Sequence, residues 1–311
     1  MRKKTIFISI SLGTICLVLL FFLAVKNEYS PNGAAKDYEG AYKIINNKIY
    51  LVDGNNLVLT TNDFKDGFEN ASDLPALFLP DLSRWHSFTA ETDDSNEEIQ
   101  RLTICIITRD CDFPKGGNAL ELTSEKSHSG QKALKFYAAP AQGKTASKAS
   151  ITRQLTAFVK GDDVYFSGWY YLVGATDARD VFLWDLEAEP TAFYYRGSPG
   201  RRLYIQEGAY LASDLGKWFS GQVFRQARGK EVIFPRDTWT NIKIHLYLSE
   251  GQNGVMEVWQ DGVKVLDAKG QTLPEAKTVY GHIELGITAN GNTKYSQTLY
   301  LDDIAISDHP L

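Results

Sequence analysis

Short runs in which apolar and polar residues alternate fill most of the chain after Ala119. Alternation with a period of two is typical of β-strands, and no long amphipathic helical pattern interrupts these runs. The ten runs are ALELTSE, KALKFYAA, ASITRQLTAFV, DVYFSGWYYLV, VFLWDLEAE, RRLYIQEG, NIKIHLYLS, GVMEVWQDGVKVLD, HIELGITAN and TLYLDDIAIS. The sequence therefore predicts an all-β fold, a two-sheet sandwich of the jelly-roll type.

A hydrophobic segment precedes this β-rich part. Arg2, Lys3 and Lys4 come before an uncharged, mostly apolar run from Thr5 to Val25. About twenty apolar residues are enough to cross a bilayer, and basic residues before such a run stay in the cytoplasm. We expect residues 1–25 to form a transmembrane helix that anchors the protein in the membrane by a single pass. The alternative is a cleaved signal segment and a secreted protein; in both cases the β-rich part lies outside the cytoplasm.

The rest of the chain divides into three parts. Residues 26–40 are polar and read as a linker, residues 41–118 as a small N-terminal β element with loops, and residues 119–311 as the sandwich. Within the second part, the sequence YKIINNKIYLVDGNNLVL predicts a pair of short strands. Cys105 and Cys111 lie close enough in sequence to form a disulfide in an oxidising compartment, and two unpaired thiols are the alternative.

Charge and motifs exclude several classes of function. With 33 basic and 38 acidic residues the net charge is −5, which argues against a nucleic-acid partner. The sequence has no phosphate-binding glycine loop, zinc-protease motif or serine-hydrolase elbow, and no cofactor is expected. Asp302 and Asp303 are adjacent on a predicted strand and so point to opposite faces. This spacing favours a turn role or a structural calcium over a catalytic pair, and solvated carboxylates are the default interpretation.

One predicted strand carries a row of residues suited to an acidic sugar. Aliphatic residues at 242, 244, 246 and 248 alternate with Lys243, His245 and Tyr247, so these three share the face opposite the core. A hairpin would bring Glu257 and Trp259 beside them. A groove for an acidic polysaccharide is one interpretation of this row, and a solvated outer face is the other.

A second group of candidates lies earlier in the chain. Aromatic rings stack on sugars, and arginine can hold a carboxylate with two hydrogen bonds. The binding candidates are Trp184, Arg202, Gln206 and Arg153. Arg153 shares its predicted strand face with Ile151 and Leu155, which leaves either a structural ion pair or a residue of the cleft.

The stretch from about Leu120 to Ser307 resembles the concanavalin-like jelly-roll polysaccharide lyases, which include heparin-lyase-like and alginate-lyase-like enzymes. The segments KSHSGQKALKF, DTWTNIKIHLYLSEGQNGVMEVWQDGVKVLD and TLYLDDIAIS carry the resemblance. The alginate-lyase pattern Tyr-x-x-x-Gly-x-Tyr-x-Gln is met at Tyr204, Gly208 and Tyr210. Ala212 stands at its Gln position, and the Gln-Ile-His and Arg-x-Glu-x-Arg motifs are absent, so an alginate substrate does not follow.

The resemblance implies β-elimination on a uronate-containing polysaccharide. The residues expected to serve it are His245 or Tyr204 as base, Tyr247 or Tyr210 as acid, and Lys243 or Arg202 as neutraliser of the carboxylate, with Trp259 stacking on the sugar. Two other classes stay open. One is a carbohydrate-binding or adhesion domain without catalysis, and the other is a glycoside hydrolase using carboxylates from Asp185, Glu187 and Glu257.

Overall fold

The computed structural model describes residues 62–78, 85–90, 105, 111, 113, 116–142, 146–174, 177–188, 199–216 and 222–311, together with the backbone of three short strands before them. The predicted membrane segment at 1–25 and the linker at 26–40 lie outside the described residues. Within the described residues, no helix is long and apolar enough to span a bilayer.

Eighteen strands and one short 3-10 helix make up the regular structure of the described residues. The strands are β1 Tyr42–Ile45, β2 Lys48–Asp53, β3 Asn56–Leu59, β4 Phe64–Asp66, β5 Ser87–Thr89, β6 Ala119–Thr123, β7 Ala133–Ala138, β8 Ser147–Phe158, β9 Asp163–Leu172, β10 Val181–Ala188, β11 Gly200–Ile205, β12 Leu211–Asp214, β13 Phe224–Arg225, β14 Trp239–Tyr247, β15 Gly254–Gln260, β16 Val263–Gly270, β17 Tyr280–Asn290 and β18 Gln297–Ser307. The 3-10 helix is Pro75–Leu77.

Two antiparallel sheets form a sandwich around a single apolar core. The seven-stranded sheet has the order β13-β12-β11-β10-β17-β8-β5, and the eight-stranded sheet has the order β16-β15-β14-β9-β18-β7-β6 with β4 beside β18. All ten runs predicted from the sequence are strands, and the predicted all-β sandwich is confirmed. Because each strand alternates between core and outer face, any outward row of side chains belongs to one sheet only.

The sandwich reaches further towards the N-terminus than the predicted boundary at residue 119. β4 pairs with β18, and β5 pairs with β8, so both strands extend the main sheets. The predicted pair of short strands near the N-terminus is a sheet of three, β1 to β3. Cys105 and Cys111 are joined by a disulfide.

The adjacent acids near the C-terminus hold a loop in place. One carboxylate oxygen of Asp302 accepts hydrogen bonds from the backbone N–H groups of His128 and Ser129, at 2.8 and 3.2 Å. Asp303 contacts the side chains of the same two residues. Burial raises the pKa of Asp302 to about 6, although the backbone N–H groups oppose that rise. These contacts give the pair a role in the loop, and calcium binding there stays a prediction.

Candidate functional site

The predicted row on β14 projects from the outer face of the eight-stranded sheet. Ile242, Ile244 and Leu246 are fully or almost fully buried, so the alternation expected from the sequence is confirmed. The hairpin register is also as expected, because Lys243 pairs with Trp259 and His245 with Glu257. Lys243 and His245 both line a pocket of about 510 Å³ on this face, and Tyr247 is not among its lining residues.

His245 is held between two acids. Its Nδ1 lies 2.8 Å from a carboxylate oxygen of Glu257, and its Nε2 lies 2.8 Å from a carboxylate oxygen of Asp163. The imidazole ring also stacks on Tyr165, with 4.6 Å between ring centroids. A general base needs a nitrogen that can receive the substrate proton. In this arrangement both nitrogens are already engaged, so the geometry does not favour His245 as the base.

Trp184 lies in the core and cannot stack on a sugar in this structure. It is completely buried, and its ring centroid is 6.1 Å from that of Phe166 on the opposite sheet. The reason is a β-bulge between Phe182 and Trp184. The bulge turns both Leu183 and Trp184 inward, whereas strict alternation would have placed Trp184 on the outer face with Phe182.

Arg153 also points into the sandwich. Its guanidinium lies 3.8 Å from the ring centroid of Phe64, which belongs to the other sheet. Burial lowers the pKa of Arg153 to about 10, and the negative charge of Asp66 opposes the shift. The inward direction places Arg153 away from the outer faces on which a glycan could lie, which favours the structural role over the one in the cleft.

The β11–β12 hairpin carries the tyrosine motif on the outer face of the seven-stranded sheet. Leu203 and Ile205 are buried, which leaves Tyr204 on the outer side, where it pairs with Ala212. The backbone N–H of Gln206 donates to the carbonyl of Tyr210, so Gln206 and Tyr210 are the next cross-strand neighbours on the same side. The hairpin therefore places both tyrosines of the motif and Gln206 on one face.

Gly208 explains why the motif needs a glycine at the turn. Its φ is +85°, in the left-handed region that residues with a side chain rarely adopt. A Cβ at this position would also overlap the Tyr210 ring, which lies directly against the glycine. The glycine thus lets the turn close and lets the Tyr210 ring pack on it.

Tyr204 is supported by a stack of flat groups. The ring centroids of Tyr204 and Phe182 lie 4.8 Å apart. The guanidinium of Arg202 lies 4.3 Å from the ring centroid of Phe182. Arg202 donates two hydrogen bonds to the Asp214 carboxylate, at 2.8 and 2.9 Å. Burial, followed by the charge of Asp214, raises the pKa of Tyr204. Since Arg202 is committed to Asp214, it supports the stack and is not placed to neutralise a substrate.

Sequence reasoning missed Arg225. This exposed residue on β13 pairs with Ala212, which in turn pairs with Tyr204, so the three form one row across neighbouring strands. The positive charge of Arg225 is close enough to lower the pKa of Tyr204, against the dominant effect of burial. Among the residues that the structure describes, Arg225 makes no ion pair. Arg225 lies in a strand of only two residues, within the sequence QVFRQARGK, and so short a strand shows no periodicity.

The carboxylates considered for a glycoside hydrolase are divided between the sheets. Asp185 and Glu187 lie on β10 with Glu284 nearby, and their oxygens approach within 4.8 Å of one another, a set that could hold a cation. Glu284 is already contacted by Ser150 and Lys148. Glu257 projects from the eight-stranded sheet, so it cannot face Asp185 or Glu187 across a cleft.

The comparisons with known proteins agree with this architecture. The chain is similar to the solved structure of a protein named cellulose induced protein, Cip1, with 16% identity and a TM-score of 0.52 over 80% of this chain and 98% of Cip1. It is also similar to the endo-beta-1,4-glucuronan lyase from the fungus Trichoderma reesei, with 13% identity and a TM-score of 0.53 over 73% of this chain and 92% of the enzyme. These two likenesses show a shared fold.

Sequence comparison is more specific than the shared fold. No protein of curated function matches the sequence. Residues 80–305 match the model of the family described as polysaccharide lyase, which spans most of the chain and nearly all of the sandwich. The chain therefore belongs to the polysaccharide lyase family.

Proposed function

We propose that this chain is an exported lyase that cleaves a uronate-containing polysaccharide by β-elimination on the outer face of the seven-stranded sheet. One observation carries the proposal. In a member of a lyase family, the β11–β12 hairpin brings Tyr204 and Tyr210 onto the same face, and Arg225 lies in the same row.

The reaction needs three groups. A base removes the proton on the carbon next to the uronate carboxylate, the glycosidic C–O bond breaks as the new C=C bond forms, and an acid gives a proton to the departing oxygen. A positive group beside the carboxylate stabilises the negative charge that develops on it. Arg225 suits the last role because it is exposed and makes no ion pair within the described residues.

The two tyrosines divide the proton transfers. Burial raises the pKa of Tyr204, so this phenol keeps its proton at neutral pH and is available to donate it to the departing oxygen. Proton abstraction then belongs to Tyr210, whose side chain is partly exposed at the turn. This assignment exchanges the roles that the sequence suggested for the two residues. Phe182 and Arg202 position Tyr204 through the stack described above.

The test is the release of unsaturated products, followed by ultraviolet absorbance, when the full chain is incubated with polyglucuronate, alginate and polygalacturonate. Tyr204→Phe and Tyr210→Phe each remove a phenol without changing the ring, and we expect turnover to fall by at least about 100-fold. Arg225→Ala should reduce turnover as well, and Arg225→Lys should restore part of it because the charge returns.

Matched controls come from the other sheet. Tyr247→Phe makes the same chemical change on the eight-stranded sheet and should leave turnover unchanged, as should His245→Ala. Loss of turnover in His245→Ala, with a normal unfolding transition, would return the chemistry to the eight-stranded sheet. The absence of unsaturated product from all three substrates would reject the lyase activity proposed here.

We also propose that the protein is attached to the membrane through residues 1–25. The support is the length of the uncharged run and the three basic residues before it. This segment would hold the catalytic part close to the cell surface, outside the cytoplasm.

A further inference from the structure

The outer face of the eight-stranded sheet carries a groove that the proposed elimination does not use. Two hollows of about 510 and 450 Å³ adjoin there, and both are lined by Lys243 and Leu311. The first hollow lies over β15, β14 and β9, and the second continues over β9, β18 and β4. Together they cross five neighbouring strands, which corresponds to about 19 Å from four interstrand spacings.

A single in-register row runs along this groove. Trp259 pairs with Lys264 on one side and with Lys243 on the other, and Lys243 pairs with Ser167. The row continues from Ser167 to Ala305 and from Ala305 to Lys65. We call these six residues the lysine row: Lys264, Trp259, Lys243, Ser167, Ala305 and Lys65.

The lysine row has charge available for a ligand. Lys264 is paired with Glu257 and Asp267. Lys243 and Lys65 are both exposed, and neither makes an ion pair within the described residues. Their backbones are three interstrand spacings apart, about 14 Å, with small residues between them. The small side chains leave the middle of the groove open, and a cation without an ion pair in the described part of the chain stands on each side of it.

Aromatic side chains flank the same groove. Trp259 lines the first hollow, with the Lys264 ammonium 5.1 Å from its ring centroid. In the next row, the stacked pair of Tyr165 and His245 forms a wall that the two acids around His245 keep in place. Flat rings beside a line of cations suit a chain of sugar rings that carry carboxylates.

We infer that the lysine row is a second glycan-binding site, one that holds a linear polyuronate without cleaving it. Such a chain presents a carboxylate on every sugar, so carboxylates can reach both Lys243 and Lys65 while a sugar ring rests on Trp259. The inference takes its ligand class from the proposed function, but the binding itself does not depend on the elimination chemistry.

The experiment measures retardation of the full chain in native gels that contain polyglucuronate. A Tyr204→Phe/Tyr210→Phe background prevents degradation of the polymer. Adding Lys65→Ala with Lys243→Ala should raise the apparent Kd by at least about tenfold. Trp259→Ala should weaken binding as well. The matched control is Lys269→Ala with Lys277→Ala, which removes the same charge from exposed positions outside the groove and should leave retardation unchanged.

Two readouts separate this inference from the elimination proposal. In the otherwise native chain, the Lys65→Ala/Lys243→Ala variant should still release unsaturated product from a short uronate oligosaccharide at the native rate. Unchanged retardation of that variant, an equal loss in the control variant, or no retardation of the parent chain overturns the second site. Groove-dependent binding in a chain that forms no unsaturated product would reject the elimination and support the second site.

Discussion

His86, at the residue scale, is a histidine whose surroundings oppose a positive charge. It is half-buried at the start of β5, and Arg153 and His282 lie close by. Burial, then the charges of these two residues, lowers the pKa of His86 from its usual 6.5 to about 4. Between these two values the unfolded chain binds a proton that the folded chain does not, so acid favours unfolding.

We therefore expect the free energy of unfolding to fall as the pH is lowered from 6.5 to 4, with part of the loss due to His86. Urea unfolding at pH 7 and pH 5 measures this directly. His86→Asn cannot be protonated in this range, so it should lose less stability between the two pH values than the native chain does. An equal loss in both proteins would show that His86 does not contribute.

Individual residues show which features of the site could be predicted from the sequence and which could not. The outward direction of Lys243 and His245 follows from alternation within one strand, so it could be predicted. The engagement of His245 Nε2 by Asp163 could not, because Asp163 comes from β9, about eighty residues earlier in sequence. Trp184 was misplaced because one bulge reverses the alternation after Phe182.

At the scale of elements, the β11–β12 hairpin depends on the turn at Gly208. Gly208→Ala adds the strain of a left-handed residue, about 1 kcal/mol, and forces the Tyr210 ring to move. A displaced catalytic group can lower turnover by about 100-fold, and we expect a loss of that order. Product release in the ultraviolet assay, together with thermal unfolding, separates lost activity from lost stability.

Gly229→Ala is the matched control for that turn. Gly229 has a similar φ of +78°, but nothing lies within 4 Å of the position that its Cβ would take. It should therefore show the backbone strain without the loss of turnover. Equal turnover in the two variants would mean that the Tyr210 ring position does not matter for the reaction.

Most of the long strands were predictable because apolar and polar residues alternate along their sequences. β9 buries every second residue from Val164 to Leu172, with Gly168 among the buried positions. The short strands β4, β5, β12 and β13 offer too few residues for a period to appear. β4 and β5 also pair with strands that are distant in sequence, which is why the N-terminal extension of the sandwich was missed. Arg225 was missed because β13 has only two residues.

At the scale of the whole molecule, the proposed membrane attachment through residues 1–25 can be tested directly. We expect the full chain to sediment with membranes, to resist an alkaline wash and to be released by detergent, because a twenty-residue apolar helix is held by the bilayer core. The mass of the mature protein checks the alternative. A mature chain that lacks residues 1–25 and appears in the medium would show that the segment is a cleaved signal.

The two sheets of the sandwich turn their outer faces in opposite directions, with their backbones about 10 Å apart. A stiff polymer lying along the lysine row therefore cannot pass straight on to Tyr210. The protein would hold one polysaccharide chain of a hydrated gel while cutting a neighbouring chain. It would then loosen the network from a fixed position instead of moving along one molecule.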